Sequence, residues 1–133
     1  GYAFEQLCLR HIDQIKNGLG ISGVLSDVCS WYCPMQKKSA ESEGHKGGQI
    51  DLLIDRVDGI INLCEMKYGS RPFVITASYG KDMDDRRELF REKTKTQKAL
   101  HITLVSPYGV ARNANAGYIQ SQITADDLFR DLN

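Results

Sequence analysis

The chain predicts an α/β fold, a mixed central sheet flanked by helices. Three observations predict it. Short runs around 28–33, 49–56, 60–67 and 100–106 are rich in β-branched, aromatic and other apolar residues, as strands require. Two longer stretches, 2–17 and 81–98, space apolar or oppositely charged residues by three and four, as helices require. Between two of the strand runs stands Asp58-Gly59, a short-range hairpin signal. The order is helix, strand, strand, strand, helix, strand, strand, helix. At 133 residues the chain reads as one domain over 1–133, large enough to bury about two-thirds of its unfolded surface.

The first helix is expected over residues 2–17. Phe4, Leu7, Cys8, Ile12 and Ile15 recur at helical spacing, with Glu5 at the edge of that face. Asn17-Gly18-Leu19-Gly20 supplies the glycine that ends a helix. A strand follows around Val28–Cys33, favoured by Trp31 and Tyr32 and stopped by Pro34. Residues 35–48 read as a polar, glycine-rich loop, either solvated or closing over a phosphate backbone with Lys37, Lys38 and Lys46. The hairpin comes next, its strands apolar on both faces, as in a sheet covered on both sides. Residues 68–80 are irregular around Arg71-Pro72, with a short extended piece at Phe73–Ile75.

The second helix, 81–98, places Asp84 near Arg87, Glu88 near Arg91 and Glu92 near Lys95. Arg87, Arg91 and Lys95 thus form either one side of a salt-bridged face or a phosphate-contacting stripe. A strand over Leu100–Ser106 and a last one over Tyr118–Ile123 follow. Thr124-Ala125-Asp126-Asp127 resembles a capping box that opens a terminal helix holding Leu128, Phe129 and Leu132.

Charge within the hairpin carries the functional argument. Antiparallel pairing about the turn brings Asp51 beside Glu65 and Lys67. The latter two stand two residues apart and so project from one face. Buried charge needs compensation. Two carboxylates offer hard oxygen ligands of the kind Mg²⁺ takes, and an adjacent lysine stabilises charge on a phosphate. Gln49, two residues before Asp51, is placed to bond a ligand or to solvate the strand end. Asp55 lies nearer the turn and reads as a rim residue.

The spacing Asp51–x13–Glu65–x–Lys67 resembles the signature of the PD-(D/E)XK nuclease superfamily, the restriction-endonuclease-like fold. The wider text, Gly48-Gln49-Ile50-Asp51-Leu52-Leu53-Ile54-Asp55-Arg56 and Cys64-Glu65-Met66-Lys67-Tyr68, is similar to the nuclease-like domain found behind AAA-type ATPase modules in bacteria and archaea. The resemblance covers most of the chain, though Ile50 stands where the superfamily's proline would. It implies an αβββαβ core and a domain excised from the C-terminus of a larger ATPase. It implies Mg²⁺ or Mn²⁺ held by Asp51, Glu65 and the main-chain carbonyl of Met66, with Lys67 positioning the attacking hydroxide. A family helix carries an acid facing the site, which makes Glu5 the candidate for a second metal site or for orienting Lys67. Nucleic acid, DNA before RNA, is the implied substrate, with Gln49, Lys46, Arg87 and Arg91 as candidate contacts. The ATPase module is the implied partner, and many nucleases of this fold form homodimers.

Composition tempers that reading. There are 17 basic and 17 acidic residues, so the net charge is zero, whereas a free-standing nucleic-acid binder is usually basic. Neutrality fits a substrate delivered by a larger protein. It also fits an alternative, a non-catalytic docking or regulatory module of an ATPase. No apolar run approaches the ~20 residues that span a bilayer. The four cysteines read as reduced thiols in a cytoplasmic protein, Cys8 and Cys64 being small buried hydrophobes. Cys29 and Cys33 with His45 make only a partial zinc set, without a fourth ligand.

Overall fold

A computed structural model of the chain describes residues 1–132. Its elements are α1 (Tyr2–Leu9), α2 (Ile12–Gly18), β1 (Ser26–Cys33), β2 (Gly48–Arg56), β3 (Ile60–Met66), α3 (Ala77–Thr94), β4 (Ala99–Val105), β5 (Ser121–Ile123) and α4 (Ala125–Leu128). The five strands lie side by side in chain order. β1–β2 and β2–β3 pair antiparallel, while β3–β4 and β4–β5 pair parallel. The parallel β3–β4 pair needs a crossover, and α3 supplies it. The expected α/β class, a mixed sheet flanked by helices, is what the chain forms.

Side-chain alternation along β3 divides the core. Cys64 and Met66 join Phe4, Cys8 and Ile15 of α1 and α2, together with Leu52, Ile54 and Leu128. Ile61 and Leu63 join Phe90 of α3, with Leu53 and Leu100. Met83 of α3 packs on Ile75 and Ile102 beside them. Each large side chain so buried contributes about 1.5–3 kcal/mol relative to exposure. The small helices therefore hold one face of the sheet and α3 holds the other.

One irregularity shapes β2. Cys29 faces Leu53 and Trp31 faces Ile50, so β2 runs three residues where β1 runs two. This β-bulge falls at Asp51 and Leu52. It brings Ile50, of the wrong parity for regular alternation, into the same cluster as Leu53.

Several elements depart from expectation. The helix over 2–17 breaks at His11, whose φ/ψ of −123°/37° is not helical and whose Nδ1 lies 2.7 Å from the Leu7 carbonyl oxygen. The break lets α2 turn Ile15 inward against α4's Leu128, while Leu9 is left exposed. Residues 35–48 do not form an irregular loop. They continue β1 and β2 as a narrow arm, with bridges at Gln36–His45 and Ser39–Ser42. Gly44 and Gly47, both at φ above 70°, pass so close to the facing backbone that a Cβ would sit within 3 Å of it. The second helix starts earlier, at Ala77, because the Thr76 side chain caps it by accepting from the Tyr79 N–H at 3.0 Å. It ends earlier too, at Lys95, which adopts the left-handed conformation. The last strand is only Ser121–Ile123, and a 3-10 turn occupies Ala116–Tyr118. The capping box forms, with the Thr124 N–H donating to Asp127 Oδ2 at 2.9 Å. The helix it opens is a single turn that buries Leu128 and leaves Phe129 and Leu132 exposed.

Candidate functional site

The site is a fork in the sheet. The β2–β3 ladder ends at Leu52–Cys64. Beyond that rung β2 remains paired with β1 as far as Gly48–Cys33, and β3 remains paired with β4 as far as Met66–Val105. Asp51 and Glu65 occupy the next position on either arm of the fork, and Met66 lies one residue further along β3. Like charges directly opposite one another in a ladder are destabilising. Here they stand where the ladder has stopped.

Each charged group has a distinct environment. Asp51 is half-buried, and Gln49 Nε2 donates to its Oδ1 at 2.7 Å. Glu65 Oε1 accepts from Arg86 Nη1 of α3, and the two side chains are only 16% and 23% exposed. Burial pushes the Glu65 carboxyl above its ordinary range. The Arg86 and Lys67 charges pull the other way, and the Asp51 charge adds to the rise. Lys67 hydrogen-bonds through its backbone N–H to the Val105 carbonyl at 2.9 Å, which anchors it to β4. Its ammonium stands 5.2 Å from the centre of the Tyr79 ring and has no carboxylate partner among the described residues. The Tyr79 hydroxyl is enclosed without a hydrogen-bond partner among the described residues. Its pKa is raised by burial first and by the Glu65 charge second.

The oxygens at the fork are of the hard kind that Mg²⁺ or Mn²⁺ takes. Among the described residues, one oxygen of each carboxylate, Asp51 Oδ2 and Glu65 Oε2, is clear of protein hydrogen bonds. Met66 lies past the last rung with β2. Asp51, Glu65 and the Met66 carbonyl are the residues that would hold such an ion, with water and phosphate oxygens as the remaining ligands. No group of three or more His, Cys, Asp or Glu side chains among the described residues is arranged around one ion.

That last observation corrects the place expected for Glu5. Its helix packs Phe4 and Cys8 on Cys64 and Met66, the face of β3 opposite to Glu65 and α3. Glu5 is half-buried there, its backbone N–H donates to the Gly1 carbonyl at 3.2 Å, and its carboxylate forms no ion pair among the described residues. Cys29 and Cys33 likewise do not join His45 around a metal. Cys29 is exposed, while burial lifts the Cys8 thiol to about 12 and the fully enclosed Cys64 higher still.

A groove of about 890 Å³ runs beside the acids, between the hairpin arm and α3. Lys46, Gln49 and Arg86 line it, but Asp51, Glu65 and Lys67 do not. Its α3 wall is acidic, with Asp82, Glu88 and Glu92. Arg87 and Arg91 do not line it, and Arg87 takes up the salt-bridged alternative, with the expected partner Asp84. Arg87 pairs with Asp84 and, at 3.5 Å, with Glu88. Arg91 donates to the Thr96 and Lys98 carbonyls, both at 3.2 Å, and so closes the C-terminal end of α3. The left-handed Lys95 is out of register with Glu92. Sequence reasoning missed Arg86 and Tyr79. The helical ladder Tyr79, Met83, Arg86, Phe90, at i, i+4, i+7 and i+11, was the available signal, since it sets both on the stripe that Met83 and Phe90 bury.

No protein-family model and no curated protein matches the chain. Among solved structures it is similar to AF1548, a protein of unknown function, at a TM-score of 0.56 and 12% identity. The match covers 94% of this chain, which spans 64% of that one. At this identity the likeness is one of fold.

Proposed function

We propose that the chain is a metal-dependent nuclease domain of the PD-(D/E)XK type, hydrolysing phosphodiester bonds of nucleic acid. The observation that carries this reading is the fork: two carboxylates on diverging strands, each with an oxygen to spare, and Lys67 two residues from one of them. A divalent ion bound there lowers the pKa of a bound water and neutralises charge on the scissile phosphate. Asp51, braced by Gln49, and Glu65 would hold the ion together with the Met66 carbonyl. Lys67 is anchored by its own backbone and forms no ion pair among the described residues, so its ammonium would orient the attacking water and steady the phosphate. DNA is the substrate put first. An AAA-type ATPase in the same polypeptide would deliver it, which accommodates a net charge of zero. A cytoplasmic setting and a homodimer belong to the same proposal.

A second reading, a docking module of an ATPase, is favoured by the acidic α3 wall, which repels a phosphate backbone. The test is Mn²⁺-dependent cleavage of plasmid, single-stranded DNA and RNA by the wild type, Asp51→Ala and Lys67→Ala. Melting temperatures are measured with and without Mn²⁺. Cleavage lost in both variants, with a Mn²⁺-induced rise in melting temperature that Asp51→Ala removes, is the expected result. A wild type that neither cleaves nor gains stability from Mn²⁺ sinks the nuclease reading and leaves the docking module.

A further inference from the structure

We propose that Arg86 is the positioning residue of the cation site, holding Glu65 in the one orientation that lets it share an ion with Asp51. This rests on the metal reading above. Glu65 is a nearly buried glutamate on β3, held by β4 on one side and open on the β2 side past the Leu52–Cys64 rung. Its side chain has three rotatable bonds, and its one hydrogen bond among the described residues is the ion pair from Arg86 Nη1 to Oε1. That bond occupies one oxygen and leaves Oε2 for the ion. Asp51 is treated the same way from the other arm, with Gln49 holding Oδ1 and leaving Oδ2. Each ligand thus has its own brace on the side away from the ion. Metal-binding carboxylates are commonly oriented by such partners.

The path of Arg86 is built into the fold. Its stem crosses β2 at Gly48, where an added Cβ would lie 3.1 Å from Arg86 Cγ and 3.5 Å from Trp31 Cζ3. Trp31 packs edge-on against Phe90, one helical turn beyond Arg86, at 5.2 Å between ring centres. A larger residue at position 48 has little room to be relieved except by displacing Arg86. An added Cβ at Gly48 would therefore press on the Arg86 stem, which would have to give by a few tenths of an ångström, and no positive φ requires glycine there. Neighbouring Arg87 cannot substitute, because Asp84 and Glu88 hold it.

The experiment is Mn²⁺ titration by calorimetry on the whole chain, without substrate, for the wild type, Asp51→Ala, Arg86→Met, Arg86→Lys and Gly48→Ala. Circular dichroism and melting temperature in the absence of metal check each fold. Arg86→Met should weaken Mn²⁺ binding about 10- to 100-fold, the range seen when an outer partner of a ligand is removed. Arg86→Lys should recover part of it, and Gly48→Ala should fall between the wild type and Arg86→Met. Recovery by lysine separates positioning from a loss of packing, which methionine would replace better. Wild-type affinity in a folded Arg86→Met, or tighter binding, overturns the proposal and makes Arg86 a counter-ion that the metal displaces. If the wild type binds no Mn²⁺, the metal reading and this one fall together. If the wild type binds and Asp51→Ala does not, the metal reading stands whatever Arg86 does.

Discussion

The two ends of the β2–β3 hairpin carry comparable charge and treat it in opposite ways. At the turn, Lys98 Nζ donates to Asp55 Oδ1 at 2.6 Å and to the Arg56 carbonyl at 2.7 Å. Arg56 grips Asp58 with two nitrogens, at 2.9 and 2.6 Å, and reaches Asn62 Oδ1 at 3.2 Å. Buried Asn62 passes the network on to Thr103 at 3.1 Å, and Thr103 to Ser121 at 2.8 Å. Every charge there has a partner of opposite sign. At the fork the Asp51 charge bears on Glu65, Arg86 pairs with one oxygen of Glu65, Lys67 leans on a ring, and one oxygen of each carboxylate has no hydrogen bond among the described residues. The sheet is saturated where charge is structural and unsaturated where a ligand would complete it. Charge in a strand is thus ambiguous until its partners are counted.

The comparison breaks most visibly in activity. Asp51→Asn should cost about a hundredfold or more in Mn²⁺-dependent cleavage, in line with removing a major electrostatic contributor. Without metal its thermal stability should hold or rise slightly, because a like-charge contact is relieved. The opposite result, lost stability with cleavage retained, would make the fork another structural network. Asn62→Ala should do the reverse. It removes a buried amide that serves Thr103 and Arg56, and should cost roughly 1–3 kcal/mol in urea unfolding while cleavage survives.

The pH dependence of metal-free stability sharpens the contrast in sign. Arg56 holds the exposed Asp58 below its ordinary 3.8. The contribution of Asp58 is therefore present above that value and lost as pH falls through the lower folded value. Glu65 is raised above its ordinary 4.5. Its contribution is full below 4.5 and is lost as pH rises through the higher folded value. Denaturation of Glu65→Gln against the wild type should show the variant gaining at pH 7 relative to pH 4. Asp58→Asn should show its loss at pH 7 and none at pH 2. Matching slopes in the two variants would erase the distinction. The smallest effect is expected of Lys98→Met. That pair is more than a third exposed on both sides, and its removal should move stability by no more than ~1 kcal/mol.

Local pattern reached some of this and tertiary context decided the rest. The hairpin was legible because Asp58-Gly59 marks its turn, and Gly59 does take a positive φ of 93°. Counting outward from that turn brings Asp51 beside the Glu65–Lys67 end, while the rung itself is set by a three-residue loop over 57–59 that the Asp-Gly signal does not announce. The Thr124–Asp127 box was legible for the same reason, its chemistry being complete within four residues. The break at His11 was not, since no glycine or proline marks it and its benefit is the burial of Ile15 on a distant helix. The bulge was not legible either. It is defined by a partner strand twenty residues away, and Ile50-Asp51-Leu52-Leu53 reads as ordinary alternation. Among the arginines, charge spacing pointed to Arg87 and Arg91, which serve α3 itself. Arg86 reaches across to another element, and only the apolar ladder from Met83 to Phe90 hints at that.

The bulge gives β2 two reading frames. From Leu53 towards the turn, odd positions belong to the α3 face; towards Gly48, the parity shifts by one residue. Deleting a single residue between Ile50 and Leu53 would therefore leave the hairpin's composition nearly intact while merging the two frames. Position 51 would be turned to a new face, and the segment that carries Gln49 and Gly48 would be re-phased with it. For anyone aligning distant relatives of this chain, a one-residue gap at this point separates domains able to place an acid at the fork from domains that merely share the sheet.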